Sequence, residues 1–171
     1  MYSRLREVKK ILYKHHILFW PDCGTLLFMY RDDKLDPTDI DISIPYAYRQ
    51  AVLESIEDFI KNGYHIHAIY EYKNKITEVS MRKNGLAVDL FLRQRKGSYL
   101  VGYSNYGFEV AWGQPYKYFQ CMSSMIFDGN RYKIPSEIEK YLAYTFGKDW
   151  QIPRQKWDSS KDSPCINERW L

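Results

Sequence analysis

Six consecutive residues, Asp39-Ile40-Asp41-Ile42-Ser43-Ile44, alternate without a break between oxygen-bearing and isoleucine side chains. A two-residue period is that of a β-strand with one face in a core. The isoleucines therefore turn inward, and Asp39 and Asp41 stand together on the other face. Two carboxylates held that close repel one another unless a cation lies between them. Hard divalent metals, Mg²⁺ foremost, take such oxygens together with phosphate oxygens. A fold that accepts this strand has a half-buried sheet with a use for paired acids.

Two further features converge on the same chemistry. Asp89 lies in an apolar run, after Ala87-Val88 and before Leu90-Phe91-Leu92. Burying that acid unpaired would cost on the order of several kcal/mol, so it needs a metal, a cation or water. If its strand neighbours the first, three carboxylates ring a site for one or two metals. Gly24-Thr25 then reads as a tight turn opening a helix. Such a turn presents backbone N–H groups to phosphate oxygens, and the Thr25 hydroxyl adds a donor. A phosphate cradle beside metal-binding carboxylates suits an enzyme acting on a phosphoanhydride.

Periodicity places the surrounding elements. Helical spacing marks 4–16 and 46–62, the second opened at Pro45 and stopped at Gly63. Residues 17–20 read as a short buried strand, 25–31 as about two helical turns and 32–38 as a polar loop containing Pro37. Strands are expected over 64–72, 75–82 and 86–92, with Asn84-Gly85 as a type I′ hairpin turn. The stretch 98–134 is rich in Tyr and Gly and shows only short strand-like pieces. Ser136 is expected to cap a helix running to Phe146, with Glu139 completing a capping box and Gly147 ending it. The tail 148–171 carries three of the five tryptophans and is expected to wrap the core. With no repeat or linker, residues 1–171 read as one α+β domain, a small mixed sheet with flanking helices.

Composition narrows the partners. Lys and Arg exceed Asp and Glu by 25 to 21, too small an excess to announce a nucleic-acid binder. Neither a membrane span nor a secretory leader is readable, and Cys23, Cys121 and Cys165 fit no disulfide or zinc pattern. A cytoplasmic protein is expected, with the oligomeric state open. His65 and His67 share a strand face and are expected to pack there rather than to bind metal. Aromatic residues make up 17% of the chain, enough for Trp112, Tyr116 and Tyr118 to stack on a base or sugar while others fill the core. Arg31 is either a phosphate clamp or the partner of Asp32 or Asp33.

Taken in order, Cys23-Gly24-Thr25-Leu26-Leu27, Arg31, Asp39-Ile40-Asp41-Ile42 and Val88-Asp89-Leu90-Phe91 resemble the LicD phosphocholine transferases and the fukutins. Phe127 to Pro135 resembles that family's short hairpin ending in Ile-Pro. Tyr141-Leu142, Phe146-Gly147-Lys148-Asp149-Trp150 and Ile152-Pro153 resemble its C-terminal motifs. Trp157-Asp158, Ser163-Pro164 and Trp170 look more like fukutin than like the choline enzymes. Phe28 stands where the family's turn usually carries Gly.

The resemblance implies a minimal polymerase-β-like nucleotidyltransferase fold. It also implies transfer of a phospho-alcohol, such as ribitol or choline phosphate, from a CDP-linked donor to a glycan or sugar-phosphate acceptor, releasing CMP. Asp39 and Asp41 would hold Mg²⁺ or Mn²⁺ on the donor, with Gly24 and Thr25 cradling its oxygens. Asp89 would complete the metal site and help deprotonate the acceptor. The same residues would also suit a nucleotidyltransferase that moves NMP from an NTP and releases pyrophosphate. A non-catalytic module binding nucleic acid or glycan is the third reading, and the three acids argue against it.

Overall fold

The alternating strand sits inside a seven-stranded mixed sheet. The computed structural model describes residues 2–35, 38–105, 108–154 and 156–171; Asp36 and Pro37 of the expected loop lie outside them. Helix α1 (Tyr2–Lys14) leads through a turn at 15–16 and the buried Ile17 and Phe19 into the two-residue strand β1 (Trp20–Pro21) and helix α2 (Cys23–Asp32). Strand β2 (Asp39–Pro45) ends in a short 3-10 turn that opens helix α3 (Arg49–Lys61). A meander of β3 (His65–Tyr72), β4 (Lys75–Lys83) and β5 (Leu86–Lys96) follows. Strands β6 (Tyr99–Asn105) and β7 (Glu109–Pro115) make a further hairpin. Beyond it come α4 (Lys117–Gln120), the separate hairpin β8 (Ser123–Phe127) and β9 (Asn130–Ile134), and α5 (Ile138–Phe146).

The main sheet runs β1-β2-β5-β4-β3, with β6 and then β7 continuing from the far end of β5. Among the described residues only β2 and β5 pair in parallel. Strand β5 is long enough to be shared: Leu86–Phe91 pair with β4, and Gln94–Lys96 pair with β6. Helices α1 and α3 cover one face of the sheet. There Ile40, Ile42 and Ile44 join Val79, Met81, Val88, Leu90 and Leu92 against Leu5, Val8, Leu12, Val52 and Phe59. Each such buried side chain contributes about 1.5–3 kcal/mol, so the isoleucine face fixes which way β2 turns. The opposite face is walled by α2, α5 and the C-terminal segment, whose Trp150 packs with Trp20, Leu26 and Tyr141.

Several local expectations are corrected. The strand expected at 17–20 forms only at Trp20–Pro21, while Ile17 and Phe19 are buried without ladder bonds. Helix α2 begins two residues earlier than expected because Asp22 caps it, accepting the Cys23 N–H at 2.9 Å. Ser136 does not cap α5: both its N–H and its hydroxyl donate to the Tyr118 carbonyl, and Glu137 occupies the cap position. Tyr99–Asn105 and Glu109–Pro115 each form a full strand, their pattern hidden because both faces are largely buried. His65 and His67 lie exposed on the edge strand β3 instead of packing.

Candidate active site

The parallel pairing of β2 and β5 sets Asp41 directly beside Asp89, with Asp39 beside Ala87. In-register neighbours point to the same face, so the three acids gather on the face opposite the isoleucines. All three line a cleft of about 600 Å³. Strand β4 adds Ser80, opposite Asp89, and Glu78, opposite Phe91.

Charge is crowded there. Burial, then the neighbouring Asp39 and Asp89, push the Asp41 carboxyl well above the usual carboxylate range. Burial also raises Asp89, against a hydrogen bond from Ser80 that lowers it. One oxygen of Asp89, Oδ1, is buried with no hydrogen-bond partner among the described residues. An orphaned carboxylate oxygen beside two more acids fits a hard divalent cation by donor chemistry. No three His, Cys, Asp or Glu side chains among the described residues already close around one ion. Mg²⁺ is a cation that takes one or two carboxylates and completes its shell with substrate phosphates and water.

Glu78 is 7% exposed, accepts the Ser104 hydroxyl at 2.6 Å and is pushed by burial up to about 7. Its unfolded value lies near 4.5, so between those values the folded chain holds the extra proton. Stability contributed by that proton is full below pH 4.5 and is lost as pH rises toward 7. In chelator-treated protein, Glu78→Gln is expected to flatten this fall and to stabilise the fold at pH 8 by about 3 kcal/mol. Urea unfolding at pH 5 and pH 8 reads the difference; parallel losses in wild type and variant would refute it.

Helix α2 brings its N-terminus to the acids. The Asp22 N–H donates to the Asp41 carbonyl at 3.0 Å, and Leu26 N–H returns to the Asp22 carbonyl. The amides of Gly24 and Thr25 thus lie in the first turn, where helix N–H groups are open to an anion. A Cβ on Gly24 would stand 3.5 Å from Asp41 Oδ2, so glycine leaves bare backbone beside that carboxylate. Thr25 has a different task from the one expected. Its hydroxyl is fully buried and accepts the Asp41 N–H at 2.7 Å, anchoring helix to strand instead of facing a phosphate.

The remaining expected residues divide. Arg31 lines the cleft, yet its guanidinium is engaged by both oxygens of Asp32, at 2.9 and 2.8 Å, and by the Trp150 carbonyl. Trp112 lines the cleft and donates its indole N–H to the Ser159 carbonyl at 3.3 Å. Tyr116 and Tyr118 do not line it. Tyr116 stacks under Arg95 at 4.1 Å, and Tyr118 is buried edge-on against Tyr141. Burial, then Asp22 and Asp41, push the Cys23 thiol up, so it stays protonated and is no nucleophile at neutral pH.

Sequence reasoning missed Arg93 and Glu78. Arg93 shares a strand face with Asp89 and Phe91, one step past the expected strand end at 92, and continuing the two-residue period would have found it. Its buried guanidinium bonds Asp22 Oδ2 at 3.0 Å and Ser43 Oγ at 2.8 Å. Asp22 also accepts the Ser43 hydroxyl at 2.6 Å and the Tyr141 hydroxyl, and Gln114 donates to Tyr141 at 2.6 Å. One buried polar network thereby ties α2, β2, β5, β7 and α5 together behind the cleft.

Comparison with known proteins agrees with this architecture. No model of a known protein family matches the chain. It is 23% identical over 168 residues to the ribitol-5-phosphate transferase FKTN of Macaca fascicularis and to that of Homo sapiens. The match covers 95% of this chain, which spans about a third of the length of those relatives (35%). Among solved structures, the lincosamide antibiotic adenylyltransferase LnuA, bound to lincomycin, superposes with a TM-score of 0.57 at 14% identity. That superposition covers 89% of this chain and 94% of LnuA. ANT(2")-Ia, in complex with adenylyl-2"-tobramycin, gives 0.53 at 12% identity over 92% of this chain and 80% of its own. No helix among the described residues is long and apolar enough to cross a membrane. The mixed sheet and its flanking helices are the polymerase-β-like nucleotidyltransferase fold.

Proposed function

We propose that this chain is a metal-dependent transferase moving a phospho-alcohol from a CDP-linked donor to a sugar hydroxyl of a glycan, with release of CMP. The observation that carries the reading is the Asp41–Asp89 pairing across β2 and β5, with the bare backbone of Gly24 beside it. The similarity to ribitol-5-phosphate transferases along 95% of the chain supports a phospho-alcohol as the transferred group.

In this reading Asp39, Asp41 and Asp89 are the residues that would hold Mg²⁺ or Mn²⁺, and the ion would supply charge neutralisation at the donor pyrophosphate. The first-turn amides of α2 bind donor oxygens. Thr25 fixes the helix against β2, so the amides and Asp41 keep one spacing. Asp89 also helps deprotonate the attacking hydroxyl. Trp112 offers a flat wall to the donor or the acceptor.

A second reading rests on the structural neighbours, both tied by name to adenylyl transfer. Here the acceptor attacks the α-phosphorus of an NTP, and pyrophosphate leaves. The two reactions differ in product. Incubation with Mg²⁺ and a glycan acceptor is expected to yield CMP from CDP-ribitol, CDP-choline or CDP-glycerol. Pyrophosphate from an NTP, with no CMP from any CDP conjugate, would replace the first reading with the second.

A further inference from the structure

The buried charges of this chain are gathered in one place. Among the described residues Asp22, Asp41, Glu78 and Arg93 are the buried charged side chains, at 0%, 8%, 7% and 3% exposed. Burial, then Asp39, Asp89, Asp22 and Glu78, push the Asp41 carboxyl up, so all four of those acids act on Asp41. Five acids thus share a neighbourhood with one buried base. The other arginines of the cleft are placed differently: Arg31 pairs with Asp32, Arg154 with Asp149, and Arg82 stands exposed.

Arg93 is aimed at one acid of the five. Its Nη2 meets Asp22 Oδ2 at 3.0 Å, and its Nε donates to Ser43, whose hydroxyl donates to the same Asp22 oxygen. Asp22 Oδ1 takes the Cys23 N–H and the Tyr141 hydroxyl. Asp22 is also the cap of α2. A negative cap competes with any second anion for the positive end of a helix. It also adds charge beside acids that already repel one another. A guanidinium, charged at every pH at which proteins fold, removes both effects.

We infer that Arg93 is a positioning residue that sets the charge of the site: by neutralising Asp22 it lets the acids and the α2 N-terminus hold a divalent cation and a phosphoanhydride together. Arg93 acts through Asp22 and touches neither ligand. Its loss leaves one more negative charge, which draws the cation and repels the anion. Loss of the Asp22 charge tips the balance the other way. A residue that only held the fold would weaken both ligands at once. The inference rests on the proposed function in taking a divalent cation and a pyrophosphate group as the ligands.

The test is binding without turnover. Calorimetry titrates Mn²⁺ into the metal-free chain, and inorganic pyrophosphate into the chain saturated with Mg²⁺. Removing one unit charge from a partly buried site changes an ion's affinity by about tenfold or more. Arg93→Met is therefore expected to bind Mn²⁺ about tenfold more tightly and pyrophosphate about tenfold more weakly. Asp22→Asn is expected to shift both in the opposite directions, and the double variant to return both to within about threefold of wild type. Thermal melts in EDTA check that each variant folds, and if Arg93→Met does not, the Asp22→Asn shifts decide alone. Shifts of both ligands in the same direction, or no shift in a folded variant, would overturn the inference. No Mn²⁺ binding by wild type would overturn it together with the metal site. Release of CMP from a CDP conjugate without opposed shifts would remove the inference and leave the proposed function standing. Opposed shifts without turnover on any CDP conjugate would do the reverse.

Discussion

Asp41→Asn is expected to lower transfer by about 10³-fold or more, because a divalent cation loses a charged ligand where the leaving group develops its charge. The same substitution should not cost stability in chelator. Asp41 is buried beside Asp39 and Asp89, and those like charges, with burial, already disfavour its ionised form. Removing an ionisable carboxyl relieves that conflict, while the backbone N–H that Thr25 accepts remains. Turnover is read as CMP release at saturating Mg²⁺, and the fold as the melting temperature in EDTA. A variant with metal-dependent turnover within tenfold of wild type would end the assignment of these acids. An inactive variant that melts far below wild type would instead make Asp41 a structural residue.

Asp22→Ala is expected to be among the most destabilising single changes in the chain. It removes the cap of α2 and the ion-pair partner of Arg93 together. A helix cap is worth about 1 kcal/mol, and stranding one member of a buried pair typically costs about 3–5 kcal/mol. Ser43 and Tyr141 would also lose an acceptor. Arg93 cannot swing out to water, since its side chain is packed over Gly102, where even a Cβ would overlap Nη1. Urea unfolding should show a loss of about 4 kcal/mol, and the double variant Asp22→Ala, Arg93→Met should lose much less than the sum of the single changes. Additive losses, or a single loss below about 1 kcal/mol, would show that the pair does not couple.

The parts of the site that could be read in advance are those whose signal is local. Asp39 and Asp41 declare a shared face by spacing alone, and Asp89 stands out because its neighbours are apolar. What needed the structure was distance across the chain. Arg93 meets Asp22 across 71 positions and Asp22 meets Tyr141 across 119, and no periodicity carries such pairings. Glu78 escaped for another reason. On β4 it alternates with Thr77, Val79 and Met81, and an alternating polar face reads as solvent-facing when it equally describes the floor of a cleft. Aromatic residues were the least readable. Trp112, Tyr116 and Tyr118 suit a core and a ligand wall alike, and only the first lines the cleft.

The parallel pairing of β2 and β5 also bears on how the site comes into being. Strands β3, β4 and β5 are joined by short turns, but Asp41 and Asp89 are 89 − 41 = 48 positions apart. Closing a loop of that length costs about 3 kcal/mol in chain entropy before any contact repays it. Pairings of such sequence separation slow the folding of a chain relative to local hairpins. The acids thus meet at a cost in chain entropy and against their own repulsion, on the strength of isoleucines that face the other way.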